Sequence, residues 1–139
     1  VYRQPVWNYR QEDGAPVSIP VEIEQLAEAL ADRGAGYLLT ADGDGRVKAV
    51  TVEPTLSDGV LRCPPSRGSA RNLEAQPAAT LLFPPTEPRG HTLLVDGTAT
   101  ADDDGITFTP ESAVLHRPAD HAEGPPAPGG CGNDCAPVT

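Results

Sequence analysis

From residue 36 onward, short apolar runs alternate with dense turn signals, and this punctuation most limits what the chain can build. Gly36-Tyr37-Leu38-Leu39-Thr40 is the first run, and Asp42-Gly43-Asp44-Gly45 behind it reads as a hairpin turn. A second run spans residues 46–53 and stops at Pro54; Ser57-Asp58-Gly59 then turns into Val60-Leu61-Arg62-Cys63. Ala79-Thr80-Leu81-Leu82-Phe83 is the fourth run. A Pro-rich loop over residues 84–90 leads to a long fifth run at 91–101, and Asp102-Asp103-Asp104-Gly105 turns into Ile106-Thr107-Phe108. Six short strands joined this way predict a small antiparallel barrel, not a parallel sheet.

Three helices flank the strands in this reading. Residues 21–30 carry an apolar stripe at Ile23, Leu26, Ala27 and Leu30, with Pro20 near the start and Arg33-Gly34 as the stop. Residues 66–75 read as a short helix closed by Pro77. Thr109-Pro110-Glu111-Ser112 has the cap, the proline and the acid of a helix start, which predicts a last short helix ended by Pro118.

At 139 residues the chain is one domain's worth, divided as an N-terminal arm (1–19), a barrel (20–117) and a Pro/Gly-rich tail with a Cys pair (118–139). Hydrophobic residues make up only 38%, and so small a core favours dimerisation. A net charge of −10 argues against nucleic acid and against an anionic membrane surface as partners. No apolar run approaches the roughly 20 residues that span a bilayer. No charged-then-apolar leader is visible, so a signal peptide is read as absent or removed. Three cysteines, an odd number, do not form a disulfide framework, and a cytoplasmic protein is expected. An acidic, Met-free composition rich in Ala, Gly and Pro associates with high-GC bacteria.

Against this acidity, residues 46–72 stand out. The chain has ten Lys and Arg, and five of them (Arg46, Lys48, Arg62, Arg67, Arg71) fall in this window, opposed only by Glu53 and Asp58. Alternation along the second strand puts Arg46 and Lys48 on one face, continued by Val50 and Val52. Such a face suits a ligand with a charged end and a flat apolar body. Ser66-Arg67-Gly68-Ser69-Ala70-Arg71-Asn72 supplies hydroxyls, guanidinium forks and the free N–H groups of a helix start. The two halves form a phosphate cradle; the alternative is a set of solvated surface charges.

The order of these parts resembles the flavin-binding split-barrel family typified by pyridoxamine 5'-phosphate oxidase, over residues 21–116. The resemblance rests on Val60-Leu61-Arg62-Cys63, on the block from Arg71-Asn72-Leu73-Glu74-Ala75-Gln76-Pro77 to Ala78-Ala79-Thr80-Leu81-Leu82-Phe83, and on Leu93-Leu94-Val95-Asp96-Gly97-Thr98-Ala99. It implies a mainly β (α+β) fold, a six-stranded antiparallel split barrel with short flanking helices, assembled as a homodimer with FMN in a cleft between subunits. It places the flavin phosphate against Lys48, Ser66, Arg67, Ser69, Arg71 and Asn72, and the ring near Val50 and Thr51. Many members carry lysine where this chain has Ser69. Some relatives bind a deazaflavin or haem instead, or no cofactor.

The tail holds His116, His121, Cys131 and Cys135. Two imidazoles and two thiolates make a tetrahedral zinc set. A disulfide between Cys131 and Cys135, or packing across a dimer, are the alternatives. The composition of residues 123–132 predicts no fixed structure of its own. Cys63 reads as a small apolar strand residue; His91 reads as a solvated strand end, the alternative being approach to a bound ring; and Trp7 and Tyr9 read as anchors of the arm to the barrel, the alternative being a cover for a cofactor or a dimer seam. Asp102, Asp103 and Asp104 lack the spacing of a calcium loop. No catalytic triad, P-loop or dinucleotide fingerprint is present. Three functions follow from this reading: an FMN-dependent oxidoreductase with unknown substrate, whose cofactor carries the redox chemistry; a non-catalytic binding protein for a flavin, deazaflavin or haem-like small molecule; and a structural dimer with a decayed site.

Overall fold

The computed structural model describes residues 18–118. In chain order these form β1 (Ser18–Val21), a 3-10 turn (Ile23–Gln25), α1 (Leu26–Leu30), β2 (Gly36–Ala41), β3 (Val47–Val52), β4 (Thr55–Ser57), β5 (Val60–Cys63), α2 (Arg67–Ala75), β6 (Ala78–Phe83), β7 (Thr92–Asp102) and β8 (Gly105–His116). One antiparallel sheet takes the order β3-β2-β6-β7-β8-β5-β4, and β1 adds to β8. The sheet curls around a single core, giving a split barrel with short flanking helices. It has eight strands among the described residues, two more than the sequence pattern predicts, because β1 and β4 are too short to show a period.

β8 organises the fold. One edge pairs with β7 along the full length of both strands, while the other is shared, with Ile106 to Phe108 on β5 and Ala113 to His116 on β1. The helix predicted from Thr109 does not form, since Thr109-Pro110-Glu111-Ser112 lies inside β8. The physical reason is the partner strand. Thr109 faces Thr98 and Pro110 faces Gly97, at a register shift between Asp96 and Gly97. A proline has no N–H for the ladder and is tolerated where a bulge interrupts it. Eleven residues of β7 therefore outweigh a local helix-start signal.

Gly97 is required at that bulge. A Cβ there would overlap the backbone carbonyl oxygen of Thr109 and press on the Phe108 ring. Gly97→Ala is expected to cost about 1–3 kcal/mol by forcing the strands apart, read as a lower urea midpoint with unchanged slope. A change below about 0.5 kcal/mol, the scale of an ordinary surface substitution, is the contrary result.

The first predicted helix is also shortened. Ser18 to Val21 pair with β8, so Pro20 sits in an edge strand, where its missing N–H is harmless, and not at a helix start. Only Leu26–Leu30 is α-helical, and Leu26 alone of that stripe is fully buried. The barrel interior is filled by alternate strand residues: Leu38, Leu61, Leu81, Leu93, Val95, Ile106 and Phe108 are all 0% exposed. Leu73 of α2 closes one end. No helix among the described residues is long and apolar enough to cross a membrane.

Candidate functional site

The inner face of β3 is graded. Lys48 is exposed, Val50 half-buried and Val52 buried, so the strand runs from solvent into the core. Lys48 lies directly opposite Thr40 on β2. Thr40 is only 2% exposed, and its hydroxyl accepts a 3.0 Å hydrogen bond from the Asn72 side-chain amide of α2. That bond docks the helix onto the strand pair. It also brings the first turn of α2 over Lys48: a Cβ on Gly68 would run into the Lys48 stem. Glycine at this position lets the chain's single lysine lie against the helix N-terminus.

α2 begins as the sequence predicts. Ser66 is extended and its hydroxyl accepts from the Ser69 N–H at 3.4 Å, a side-chain N-cap. The N–H groups of Arg67 and Gly68 have no acceptor within the helix, so the positive end of its dipole faces the Lys48 side chain.

The sequence-predicted residues are sorted by this geometry. Lys48, Ser66 and Asn72 gather at the junction of β3 with α2. Arg67 and Arg71 stand one turn apart on an exposed stripe of the helix beside it. Ser69 is 0% exposed and takes the Ser66 hydroxyl hydrogen bond at 3.0 Å, so it supports the cap from within. Val50 shares the Lys48 face, while Thr51 points to the opposite face, across from the exposed Tyr37. Arg46 is not in the strand. Its N–H donates to the Asp42 carboxylate at 2.9 Å in the hairpin turn. Arg62 leaves the cluster as well, donating to the Thr107 hydroxyl across β5 and β8. Of the five basic residues of this window, Lys48 lies on β3 and Arg67 and Arg71 on α2. Thr40 is the contributor the sequence reading misses. Its only signal is a hydroxyl interrupting the buried side of an apolar run.

Of the zinc set, His116 lies at the end of β8, with its Nδ1 3.1 Å from the Ser18 hydroxyl. His121, Cys131 and Cys135 lie outside the described residues, as do Trp7 and Tyr9. Among the described residues no group of three or more His, Cys, Asp or Glu is placed to hold a metal. Cys63 is buried in β5, and burial pushes its thiol up to about 11, in line with the apolar reading. His91 is not a solvated strand end: it is half-buried, and its Nε2 is shut from solvent without a hydrogen-bond partner among the described residues.

No family model matches the chain. A crystal structure from Bacteroides thetaiotaomicron, of a protein provisionally assigned to 5-nitroimidazole antibiotic resistance, is 12% identical and covers 72% of this chain and 89% of its own, with a TM-score of 0.53. At that identity the likeness shows the fold alone, the same split barrel. HutZ, the heme storage protein from Vibrio cholerae, is 15% identical over 68% of this chain and 93% of its own, with a TM-score of 0.49. In sequence, the chain is 37% identical over 132 residues to Uncharacterized protein Mb0449c of Mycobacterium bovis, covering 83% of this chain and 92% of that protein. It matches Uncharacterized protein MT0457 of Mycobacterium tuberculosis to the same extent. The chain belongs to the family of these two mycobacterial proteins.

Proposed function

We propose that this protein binds FMN and works as a flavin-dependent oxidoreductase of the pyridoxamine 5'-phosphate oxidase type. The observation that carries this reading is the packing of Lys48 against Gly68 at the N-terminus of α2. A doubly charged phosphate ester placed there meets one ammonium and two N–H groups of a helix start, with Arg67 and Arg71 on the same helix. Asn72 and Thr40 fix the helix at the height this requires. The half-buried Val50 offers an apolar surface farther along the same strand face, where a flat ring would lie. The bound flavin would supply hydride and one-electron chemistry, which fits a chain without a nucleophile or acid–base motif. The chain's own contribution is to hold the anionic end and shield one side of the ring.

Lys48, Arg67 and Arg71 are all exposed, so the cradle is an open shelf. In this reading a second copy of the chain completes it. The outer face of β2 and β3, with Tyr37 40% and Val47 69% exposed, is the apolar surface such a copy would cover.

The test is direct. Purified protein mixed with FMN should retain a yellow chromophore through gel filtration, at a light-scattering mass of two chains and with one flavin per chain. A colourless monomer after that treatment rejects the reading. Ser69 is buried, at the position where the resemblance to the split-barrel family implies a lysine, and this favours a second reading: a binding protein for a deazaflavin or haem-like anion without turnover. Oxidation of a reduced nicotinamide by the FMN-loaded protein separates the two.

A further inference from the structure

Arg33 sits at a second place where cations gather, and this one is invisible in the sequence. It follows α1, with its own N–H bonded to the Leu30 carbonyl at 2.9 Å. Its Nη1 donates to three carbonyls, of Phe83 at 3.2 Å, Pro84 at 3.0 Å and His91 at 2.8 Å. The guanidinium thereby clips both ends of the loop between β6 and β7. All three bonds leave from one nitrogen. Nε and Nη2, the other edge of the fork, donate to none of the described residues.

Arg33 lines a groove of about 550 Å³ between α1 and the turn from β3 to β4. The volume falls within the usual range for small-molecule sites, roughly 300–1,000 Å³. Ala27, Leu30, Leu56 and Phe83 give it an apolar lining, and Glu53 stands with Arg33 as its second charged group. Arg33 is held half-buried, which lowers its pKa by desolvation, with neighbouring Asp32 opposing. Other basic groups lie close to Arg33. The pKa of His91 is lowered by burial first, then by Arg117, Arg33 and His116, all of them basic. A pinned, partly desolvated guanidinium with one free two-donor edge is arranged for a planar oxyanion.

The geometry points to a binding groove for a small carboxylic acid with an apolar body, its carboxylate paired with the free edge of Arg33 and its body against Leu30, Leu56 and Phe83. A monoanion is favoured over a phosphate dianion because Glu53 shares the groove and the whole chain carries −10. The groove adjoins the Gly36 end of β2, whereas Lys48 faces Thr40 at the other end, so this inference does not depend on FMN binding.

Titration of the isotope-labelled full chain with phenylacetate, followed by amide NMR, tests it. Saturable shifts are expected at Ala27, Ala31, Gly34 and Thr55. Phenylacetamide, the neutral isostere, should bind at least about tenfold more weakly, the scale of a charged hydrogen-bond pair. Arg33→Lys keeps the charge but loses the fork, and should weaken phenylacetate by a similar factor. Ala27→Trp fills the groove from an exposed helix position, leaves Arg33 intact and should abolish the shifts. Equal binding of phenylacetamide, unchanged phenylacetate affinity in Ala27→Trp, tighter binding of phenyl phosphate, or no saturable shift at all would each overturn the assignment.

Discussion

Lys48→Glu is expected to weaken FMN binding by roughly a hundredfold, about 3 kcal/mol, while leaving the melting temperature unchanged. Two effects add. The substitution removes the ammonium that lies against the first turn of α2, and it sets a carboxylate beside the same N–H groups a phosphate would use. Stability should not follow, because Lys48 is exposed and its neighbour Thr40 keeps its bond to Asn72. Fluorescence quenching of FMN on titration with wild-type and variant protein measures the ratio, and thermal unfolding of the same samples supplies the control. Equal affinities would remove Lys48 from the site. They would leave the resemblance of fold untouched, since the fold does not depend on that side chain.

The largest loss of stability is expected from Phe108→Ala, about 3–5 kcal/mol, against a typical total of about 5–15 kcal/mol for a whole domain. Phe108 is 0% exposed on β8, paired with Leu61 on β5 and Ala99 on β7. It lies beneath the Gly97 bulge, where the backbones of β7 and β8 approach closely and have little freedom to collapse into a void. The chain has only two phenylalanines and both are core, so one deletion removes much of the aromatic filling. A fall in melting temperature of more than about 10 °C should accompany it. Val114→Ala, half-buried six positions along the same strand, is the reference, with a much smaller expected effect. If the two variants unfolded alike, the centre of the barrel would not be where the burial places it.

Much of this fold is legible in the sequence because turns and alternation are local. The Asp42 turn closes on its own side chain, which accepts from the N–H groups of Asp44 and Arg46, so the four residues that signal it also build it. The Ser66 cap is local in the same sense. Where a segment has two competing fates, the distant partner decides. Pro20 and Pro110 both carry the signature of a helix start, and both lie in strands, because β8 offers Pro20, and the bulge on β7 offers Pro110, a ladder position that tolerates a missing N–H.

The two charged sites divide along the same line. The sequence by itself determined that an acidic chain keeps half its basic residues in one window, and that this window leads into a helix start. Tertiary structure decided where each of them stands. Strand pairing and helix docking kept Lys48 with Gly68, turned Arg62 to Thr107, and left Arg46 in the hairpin turn before β3. Arg33, His91 and the adjacent pair His116-Arg117 are far apart in the chain and become neighbours only because strand ends and a loop meet. Local chemistry needs only adjacent residues and is written in order; a field made by several charges depends on distance through space, which only the folded chain sets.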